Sequence, residues 1–298
     1  MRKLSGVFTA LITPFDAEGN INEEGLQSLI RRQIESGVDG IVPLGSTGEA
    51  PTLSSDEQET IIKIAREETP HSTPLMIGTG SYSTAQAIEY TQRAKDLGAD
   101  MALMICPYYN RPTQEGLFRH FQAVAEAVNI PIVVYNQPGR TGVNLQTETL
   151  KRLIDIPTII GIKEASESIS QISEQIEMAR VRRPDFSIMS GDDGVCLPLM
   201  ALGGHGVISV LSNLLPTDVK NLCNAAAAGD FKRASEMLYH LWPLIRAIFI
   251  ETNPIPIKAA MDMCGLPAGP CRLPLCPLSV DNTSRLQSIL TSYCVACR

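Results

Sequence analysis

Eight short apolar segments, each followed by a longer stretch with helical patterning, constrain the fold of this chain most strongly. They are mostly continuous apolar runs without polar alternation, which is typical of parallel strands buried on both faces. Eight strand–helix units within about 210 residues predict an α/β fold, specifically a (β/α)8 TIM barrel. The predicted strands cover residues 7–13, 40–44, 74–78, 101–106, 131–135, 158–163, 186–190 and 206–210.

The segments between the strands carry helix signals. Apolar residues recur at helical spacing over residues 26–34, and Ser54 with Glu57 and Ser83 with Gln86 predict capping boxes. A doubly wound α/β sheet is the main alternative, but the Gly-rich turn expected after its first strand is missing. From about residue 214 the pattern is only helical, which predicts a barrel over residues 1–225 and a small helical C-terminal extension over residues 226–298.

Charge and hydropathy exclude several classes of protein. The net charge is −7, with 44% hydrophobic and 19% charged residues, so the basic patch that nucleic acids or anionic membranes require is not expected. No apolar run approaches the roughly 20 residues of a transmembrane helix. The apolar stretch after Met1-Arg2-Lys3 is broken by polar residues and Pro14, so a secretory signal is not expected. We therefore expect the protein to be cytoplasmic.

Cysteine and histidine usage does not predict a metal. The eight cysteines are expected to be reduced thiols in a protein without an export signal. Cys294 and Cys297 form a CxxC pair, which supplies only two ligands, and the four histidines are dispersed. Asp192 and Asp193 favour helix N-capping over metal binding, since their neighbours are apolar. We therefore predict no catalytic metal.

Lys163, at the end of the sixth predicted strand, is the most informative polar residue. Barrel enzymes place their sites at the C-terminal ends of the strands. If Lys163 points into the barrel, strand alternation turns Gly161 and Ile159 inward with it, while Ile160 and Ile162 face the helices. Partial desolvation lowers the pKa of a lysine, and its neutral amine can attack a ketone to give an iminium. The alternative is a solvated lysine just past a strand end.

Other strand ends supply groups that suit such chemistry. Tyr135 could carry a proton, although a core tyrosine fits its spacing equally well. The loop at 45–48 offers the Ser46 and Thr47 hydroxyls and backbone N–H groups to a small carboxylate. Arg140 could hold a second carboxylate with its forked guanidinium, or could be an exposed solubilising charge.

Taken together, the motifs resemble those of the 4-hydroxy-tetrahydrodipicolinate synthase (dihydrodipicolinate synthase) family, within the superfamily of pyruvate-dependent class I aldolases and N-acetylneuraminate lyase. The resemblance runs from the first strand to about residue 277, with the motifs in order and correctly spaced. They are Gly-Ser-Thr-Gly-Glu at 45–49, Pro-Tyr-Tyr-Asn-Arg-Pro at 107–112, Tyr-Asn-Gln-Pro-Gly-Arg-Thr-Gly at 135–142, Gly-Ile-Lys-Glu at 161–164, Gly-Gly-His-Gly-Val-Ile-Ser-Val at 203–210 and Asn-Pro-Ile-Pro-Ile-Lys at 253–258.

The resemblance implies a lyase that condenses pyruvate with L-aspartate 4-semialdehyde, the first step of the diaminopimelate and lysine pathway. It implies a homotetramer built as a dimer of dimers, and no cofactor. It also assigns roles to individual residues: an imine on Lys163, proton relay by Tyr135 and Ser46 with Tyr109 reaching in from a neighbouring subunit, the pyruvate carboxylate on Thr47, the semialdehyde carboxylate on Arg140, and a lysine pocket lined by Gly191 and the Ile208 carbonyl.

The chain departs from the family pattern in two places that bear on function. Ser46 stands where the synthase usually has threonine, and the same Gly-Ser-Thr-Gly-Glu form occurs in N-acetylneuraminate lyase, which lacks an arginine equivalent to Arg140. Lysine-inhibited members bind lysine with His, Asn and Glu side chains, and of that pocket only Tyr108 matches, which predicts weak or absent inhibition. The remaining pocket positions are Ala50, Ser55, Gln58, Tyr82 and Gln86.

Two alternatives remain open at the level of the sequence. One is another pyruvate-dependent aldolase, acting on a sialic acid or a 2-keto-3-deoxy sugar acid. The other is a catalytically silent barrel that serves as a binding protein, which the combined presence of Lys163, Tyr135 and Arg140 disfavours.

Overall fold

A closed barrel of eight parallel strands forms the centre of the molecule. A computed structural model describes residues 4–293. The sheet order is β2-β1-β8-β7-β6-β5-β4-β3, and a parallel bridge between Ile41 and Leu75 joins its two ends. All eight predicted strands are confirmed, as is the TIM-barrel class. The strands are β1 Gly6–Ala10, β2 Gly40–Val42, β3 Met76–Gly78, β4 Met101–Ile105, β5 Ile132–Asn136, β6 Ile159–Glu164, β7 Ser187–Ser190 and β8 Gly206–Ser209.

Helices surround the barrel. At the start of α2 the capping box of Ser54 and Glu57 is formed as predicted. At the start of α3 Ser83 accepts from the backbone N–H of Gln86, but the Gln86 side chain bonds Ser81 instead, so the second predicted box is only half right. The helices are α1 Glu23–Glu35, α2 Ser55–Glu68, α3 Thr84–Asp96, α4 Gln114–Ala127, α5 Pro138–Thr141, α6 Thr147–Leu153, α7 Ile169–Arg182, α8 Cys196–Ala201, α9 Pro216–Ala227, α10 Phe231–Ala247, α11 Ile255–Met263 and α12 Val280–Thr291.

An irregularity in β6 decides which way its side chains point. Ile132 of β5 pairs with Ile159, but the next residue of β5 pairs with Gly161, so Ile160 is an extra residue in β6. Ile160 packs in the barrel interior, and Ile159 packs on the outer face against the helices. The expectation from simple alternation was therefore wrong for these two residues. It was right for Ile162, which packs against the helices, because the extra residue lies before Gly161 and regular alternation resumes after it. Lys163 therefore points into the barrel.

The C-terminal helices belong to the same apolar core as the barrel. Buried residues of α9, α10, α11 and α12 join those of β1, β2 and β8 in one cluster. The division at residue 225 stays a prediction, and it falls within α9. Cys294 and Cys297 lie outside the described residues. Within residues 4–293, no helix is long and apolar enough to cross a membrane.

Candidate active site

A cavity of about 390 Å³ opens at the C-terminal ends of the strands. It brings together six of the residues singled out in the sequence: Ser46, Thr47, Tyr135, Arg140, Lys163 and Gly191. Its remaining wall comes from the loops after β5, β6, β7 and β8, from α10 and from the segment before α11, with Gln137, Ala165, Glu167, Asp192, Gly194, Val210, Trp242, Ile245, Arg246, Phe249 and Asn253.

Lys163 lies at the base of this cavity and is almost entirely buried, with 5% of its surface exposed. Burial first and the positive charge of Arg140 second lower the pKa of the Lys163 ammonium to about 7, with the carboxylate of Asp193 acting in the opposite direction. A lysine with this pKa is substantially neutral near pH 7, whereas an ordinary lysine is almost fully protonated. The cavity therefore presents a nucleophilic amine at its base.

The aliphatic stem of Lys163 lies beside the residues that directly follow β6 and β7. A Cβ atom placed on Gly191 would lie 2.7 Å from Cβ of Ala165, 3.1 Å from Cε of Lys163 and 3.2 Å from its Cγ. Only glycine leaves room for the lysine stem here. Gly191 thus leaves space for the lysine stem, and its role in the lysine pocket, which the resemblance implies, stays a prediction.

Tyr135, on the adjacent strand β5, lies directly beside the amine. Its pairing with Lys163 across the two strands places Nζ 4.3 Å from the centre of the tyrosine ring. Burial raises the pKa of the Tyr135 hydroxyl, which the charge of Arg140 and a side-chain hydrogen bond with Ser46 partly offset. The phenol is protonated at neutral pH and linked to the Ser46 hydroxyl, so the two residues form a short path for a proton.

Asn253 joins the two elements expected to bind carboxylates. Its Nδ2 donates to Oγ1 of Thr47 at 2.9 Å, and its backbone carbonyl accepts from Nη2 of Arg140 at 3.1 Å. Because Oγ1 of Thr47 accepts this bond, its own hydrogen is available to a carboxylate in the cavity. Sequence reasoning included Asn253 only as part of a motif and did not assign it this role.

A buried ion pair anchors the loop that carries Ser46 and Thr47. Nζ of Lys258 lies 2.8 Å from Oε1 of Glu49, and it also donates to the carbonyls of Thr13 and Pro270. Oε2 of Glu49 accepts from the backbone N–H of Arg272. Glu49 and Lys258 are the last residues of two of the sequence motifs. Their ion pair, which joins the barrel to its C-terminal extension, gives both residues a structural role.

The two aspartates after β7 have different partners. Oδ1 of Asp192 accepts from the backbone N–H groups of Gly194 and Val195, just before α8. Asp193 is buried and accepts from Ser209, Val210 and Leu211, so it caps a short turn after β8 rather than the helix that follows it in sequence. Burial raises the pKa of the Asp193 carboxyl. Within residues 4–293 no group of three or more His, Cys, Asp or Glu side chains is arranged to hold a metal.

Two predicted site residues lie outside the cavity wall of this chain. Ile208 is fully buried in the barrel interior with Tyr135 and Met189. Tyr109 is 90% exposed, in a left-handed backbone conformation with φ 68°. Sequence reasoning also missed Trp242 and Arg246, since a helical pattern does not reveal that α10 lies across the opening of the barrel.

Comparison with known proteins identifies the family. A profile of the dihydrodipicolinate synthetase family matches residues 3–293. This chain belongs to that family. The match confirms the resemblance found in the sequence, and with it the expectation of a lyase of the pyruvate-dependent aldolase type.

Individual members of the dihydrodipicolinate synthetase family agree with this placement. The chain is 55% identical to the 4-hydroxy-tetrahydrodipicolinate synthase of Protochlamydia amoebophila over 96% of both chains. The crystal structure of dihydrodipicolinate synthase from Thermotoga maritima superposes with a TM-score of 0.96 at 40% identity, covering 98% of this chain and 100% of that one. The enzyme from Aquifex aeolicus gives 0.94 at 42% identity, covering 98% and 99%.

Proposed function

We propose that this protein is a 4-hydroxy-tetrahydrodipicolinate synthase that condenses pyruvate with L-aspartate 4-semialdehyde through an imine on Lys163. The observation that carries the proposal is the buried Lys163 amine, with a pKa of about 7, in a cavity that also holds Tyr135, Thr47 and Arg140. The family membership of the chain supports the same activity.

The first half of the reaction uses the base of the cavity. The neutral amine of Lys163 attacks the keto carbon of pyruvate, and loss of water gives an iminium. The Thr47 hydroxyl and the backbone N–H groups of its loop hold the carboxylate. Tyr135, linked to Ser46, supplies the proton for the departing water and receives one when the pyruvate methyl group is deprotonated to an enamine.

The second half uses the outer wall. The enamine carbon attacks the aldehyde of the semialdehyde, and Tyr135 gives the aldehyde oxygen a proton, while Arg140 holds the carboxylate at the other end of that molecule. The amino group of the semialdehyde, after loss of a proton, then attacks the regenerated iminium carbon, which closes the ring and releases the Lys163 amine. We infer that Tyr109, which is almost fully exposed on its own chain, completes the proton path in a neighbouring subunit. A homotetramer built from such dimers, and a cytoplasmic location, are part of this proposal.

Two measurements test the proposal. Borohydride reduction in the presence of pyruvate is expected to attach a three-carbon adduct to Lys163, detected by peptide mass spectrometry, and Lys163→Met should abolish it. Turnover is then compared between L-aspartate 4-semialdehyde and sugar aldehydes. Arg140→Ala is expected to reduce the former reaction far more than any sugar reaction. A chain that forms the adduct but prefers sugar aldehydes would be a different aldolase, and a chain without the adduct would be no enzyme of this class.

A further inference from the structure

The second substrate of the proposed reaction carries two charges, and the assigned residues account for only one. L-Aspartate 4-semialdehyde has an α-carboxylate and an α-ammonium on the same carbon. Arg140 is expected to bind the carboxylate. An ammonium that enters a partly desolvated cavity without an acceptor loses hydration energy that nothing replaces. The cavity wall should therefore contain an anion for it.

Three carboxylates lie in or next to the cavity, and their contacts separate them. Asp193 is buried, and its two oxygens already accept from Ser209, Val210 and Leu211. Glu167 lines the cavity but is exposed to solvent. Asp192 lines the cavity, is half-buried, and directly follows Gly191, where the lack of a side chain leaves room for the lysine stem.

The orientation of the Asp192 carboxylate is fixed by hydrogen bonds to one oxygen, and its other oxygen accepts none from the described residues. Oδ1 accepts from Gly194 N–H at 2.6 Å and from Val195 N–H at 3.3 Å. The backbone of Asp192 is held by the Ser190 hydroxyl through its N–H and its carbonyl. Within the part of the chain that the structure describes, Oδ2 of Asp192 has no hydrogen-bond partner and the carboxylate has no ion pair. A fixed acceptor with one unsatisfied oxygen is well suited to a ligand cation.

Asp192 and Arg140 also have opposite electrostatic effects on one reacting group. The charge of Arg140 lowers the pKa of Tyr135, and the charge of Asp192 raises it. Both residues line the cavity that contains this hydroxyl and the Lys163 amine. Arg246 and Glu167 also line this cavity, but Arg140 and Asp192 are the wall residues whose charges act on the Tyr135 hydroxyl. This cation and this anion match the two charges of an α-amino acid.

We propose that Asp192 binds the α-ammonium of the second substrate and so makes this cavity selective for an α-amino aldehyde over an aldehyde that carries a carboxylate alone. The inference rests on the proposed function, because it names a determinant for the second substrate of that reaction. In this proposal the loop after β5 binds the carboxylate of the substrate, and the loop after β7 binds its ammonium group.

The test uses a pair of aldehydes that differ in one group. Succinate semialdehyde has the chain length, aldehyde and carboxylate of L-aspartate 4-semialdehyde, with hydrogen in place of the ammonium. In Asp192→Asn the KM for L-aspartate 4-semialdehyde is expected to rise on the order of ten-fold or more, as for loss of a hydrogen bond to a charged group. The KM for pyruvate and the inhibition constant of succinate semialdehyde should change far less, and Asp192→Glu should restore part of the loss.

Asp281→Asn is the matched control, because it makes the same chemical change at an exposed position on α12 that does not line the cavity, and it should change these constants by less than about two-fold. The proposal is overturned if Asp192→Asn leaves the KM for L-aspartate 4-semialdehyde unchanged. It is also overturned if the constants for both aldehydes rise in parallel, which would indicate general damage to the cavity. Failure of the proposed function would look different, since the wild-type chain would then not turn over L-aspartate 4-semialdehyde at all.

Discussion

Nζ of Lys258 lies 2.8 Å from Oε1 of Glu49, and both side chains are buried where the C-terminal extension meets the loop that carries Ser46 and Thr47. Removal of one partner leaves the other charge buried without compensation, which typically costs about 3–5 kcal/mol. We expect Lys258→Met to lower the free energy of unfolding by that amount in urea denaturation. The double variant with Glu49→Gln should recover part of the loss, since it removes the unpaired charge.

A second lysine offers the control for this prediction. Lys220 forms an ion pair with Asp39 that is partly open to solvent, and such pairs contribute about 0–1 kcal/mol. Lys220→Met should therefore cost far less than Lys258→Met. Similar losses in the two variants would show that the burial of the Glu49–Lys258 pair has no special effect on stability.

The pH dependence of imine formation should follow the Lys163 ammonium. Its pKa is lowered to about 7 by burial first and by the charge of Arg140 second. Only the neutral amine attacks pyruvate, so the rate of imine formation should rise as pH increases through about 7 and then level off. Arg140→Ala removes a positive charge, so the pKa of Lys163 should rise and the acid limb should move to higher pH.

Timed borohydride trapping of the pyruvate adduct across the neutral pH range gives the rate of imine formation as a function of pH, for the unaltered protein and for Arg140→Ala. Pyruvate is the only substrate present, so the measurement is independent of the role of Arg140 in binding the semialdehyde. An unshifted acid limb in Arg140→Ala would mean that burial alone sets the pKa of Lys163.

A methyl group at position 191 should displace the lysine stem. The added Cβ would lie 2.7 Å from Cβ of Ala165 and 3.1 Å from Cε of Lys163. Since displacements of about 1 Å can reduce rates by about 100-fold, Gly191→Ala should reduce kcat strongly while the fold persists. Ala165→Gly removes the closer of the two contacts, so the double variant should regain part of the activity. A fully active Gly191→Ala would show that β6 and β7 can move apart at no cost.

The sequence predicted the barrel well because its strands are short, apolar and bounded by clear turn and capping residues. It also placed Lys163 correctly, but the alternation argument reached that result through a wrong orientation of Ile159 and Ile160. A β-bulge is set by how two strands pair, and the pattern of one strand does not reveal it. The predicted inward direction of Lys163 was nevertheless right, because the bulge lies before Gly161 and alternation resumes after it.

The parts of the site that the sequence missed come from distant segments. Asn253 meets Thr47 from 206 positions away, and Trp242 and Arg246 reach the cavity from α10. Such contacts depend on how the C-terminal helices pack over the barrel, and local patterns carry no information on that packing. Asp193 was expected to cap its own helix because capping is usually local, but its carboxylate bonds the turn after β8 instead.

Feedback by lysine should be weak or absent in this protein. Tyr82 and Tyr108 make an edge-to-face contact with ring centres 5.4 Å apart, and burial raises the pKa of Tyr108. The amide of Gln58 donates to the carbonyl of Leu53, and that of Gln86 accepts from Ser81. None of these side chains offers a carboxylate to a lysine ammonium, and Ala50 offers no polar atom, so lysine would be left poorly paired.

Initial rates at saturating pyruvate with increasing L-lysine check this prediction. We expect little change in rate below millimolar lysine, because the aromatic pair and the two occupied amides give an amino acid no charged partner. Replacement of two positions together, Ser55→His and Gln58→Glu, introduces an imidazole and a carboxylate on the same face of α2, three residues apart. That variant should gain sensitivity to lysine if the missing charged groups are the cause. Half-maximal inhibition of the unaltered protein at sub-millimolar lysine would instead show that Tyr108 and backbone groups suffice to bind it.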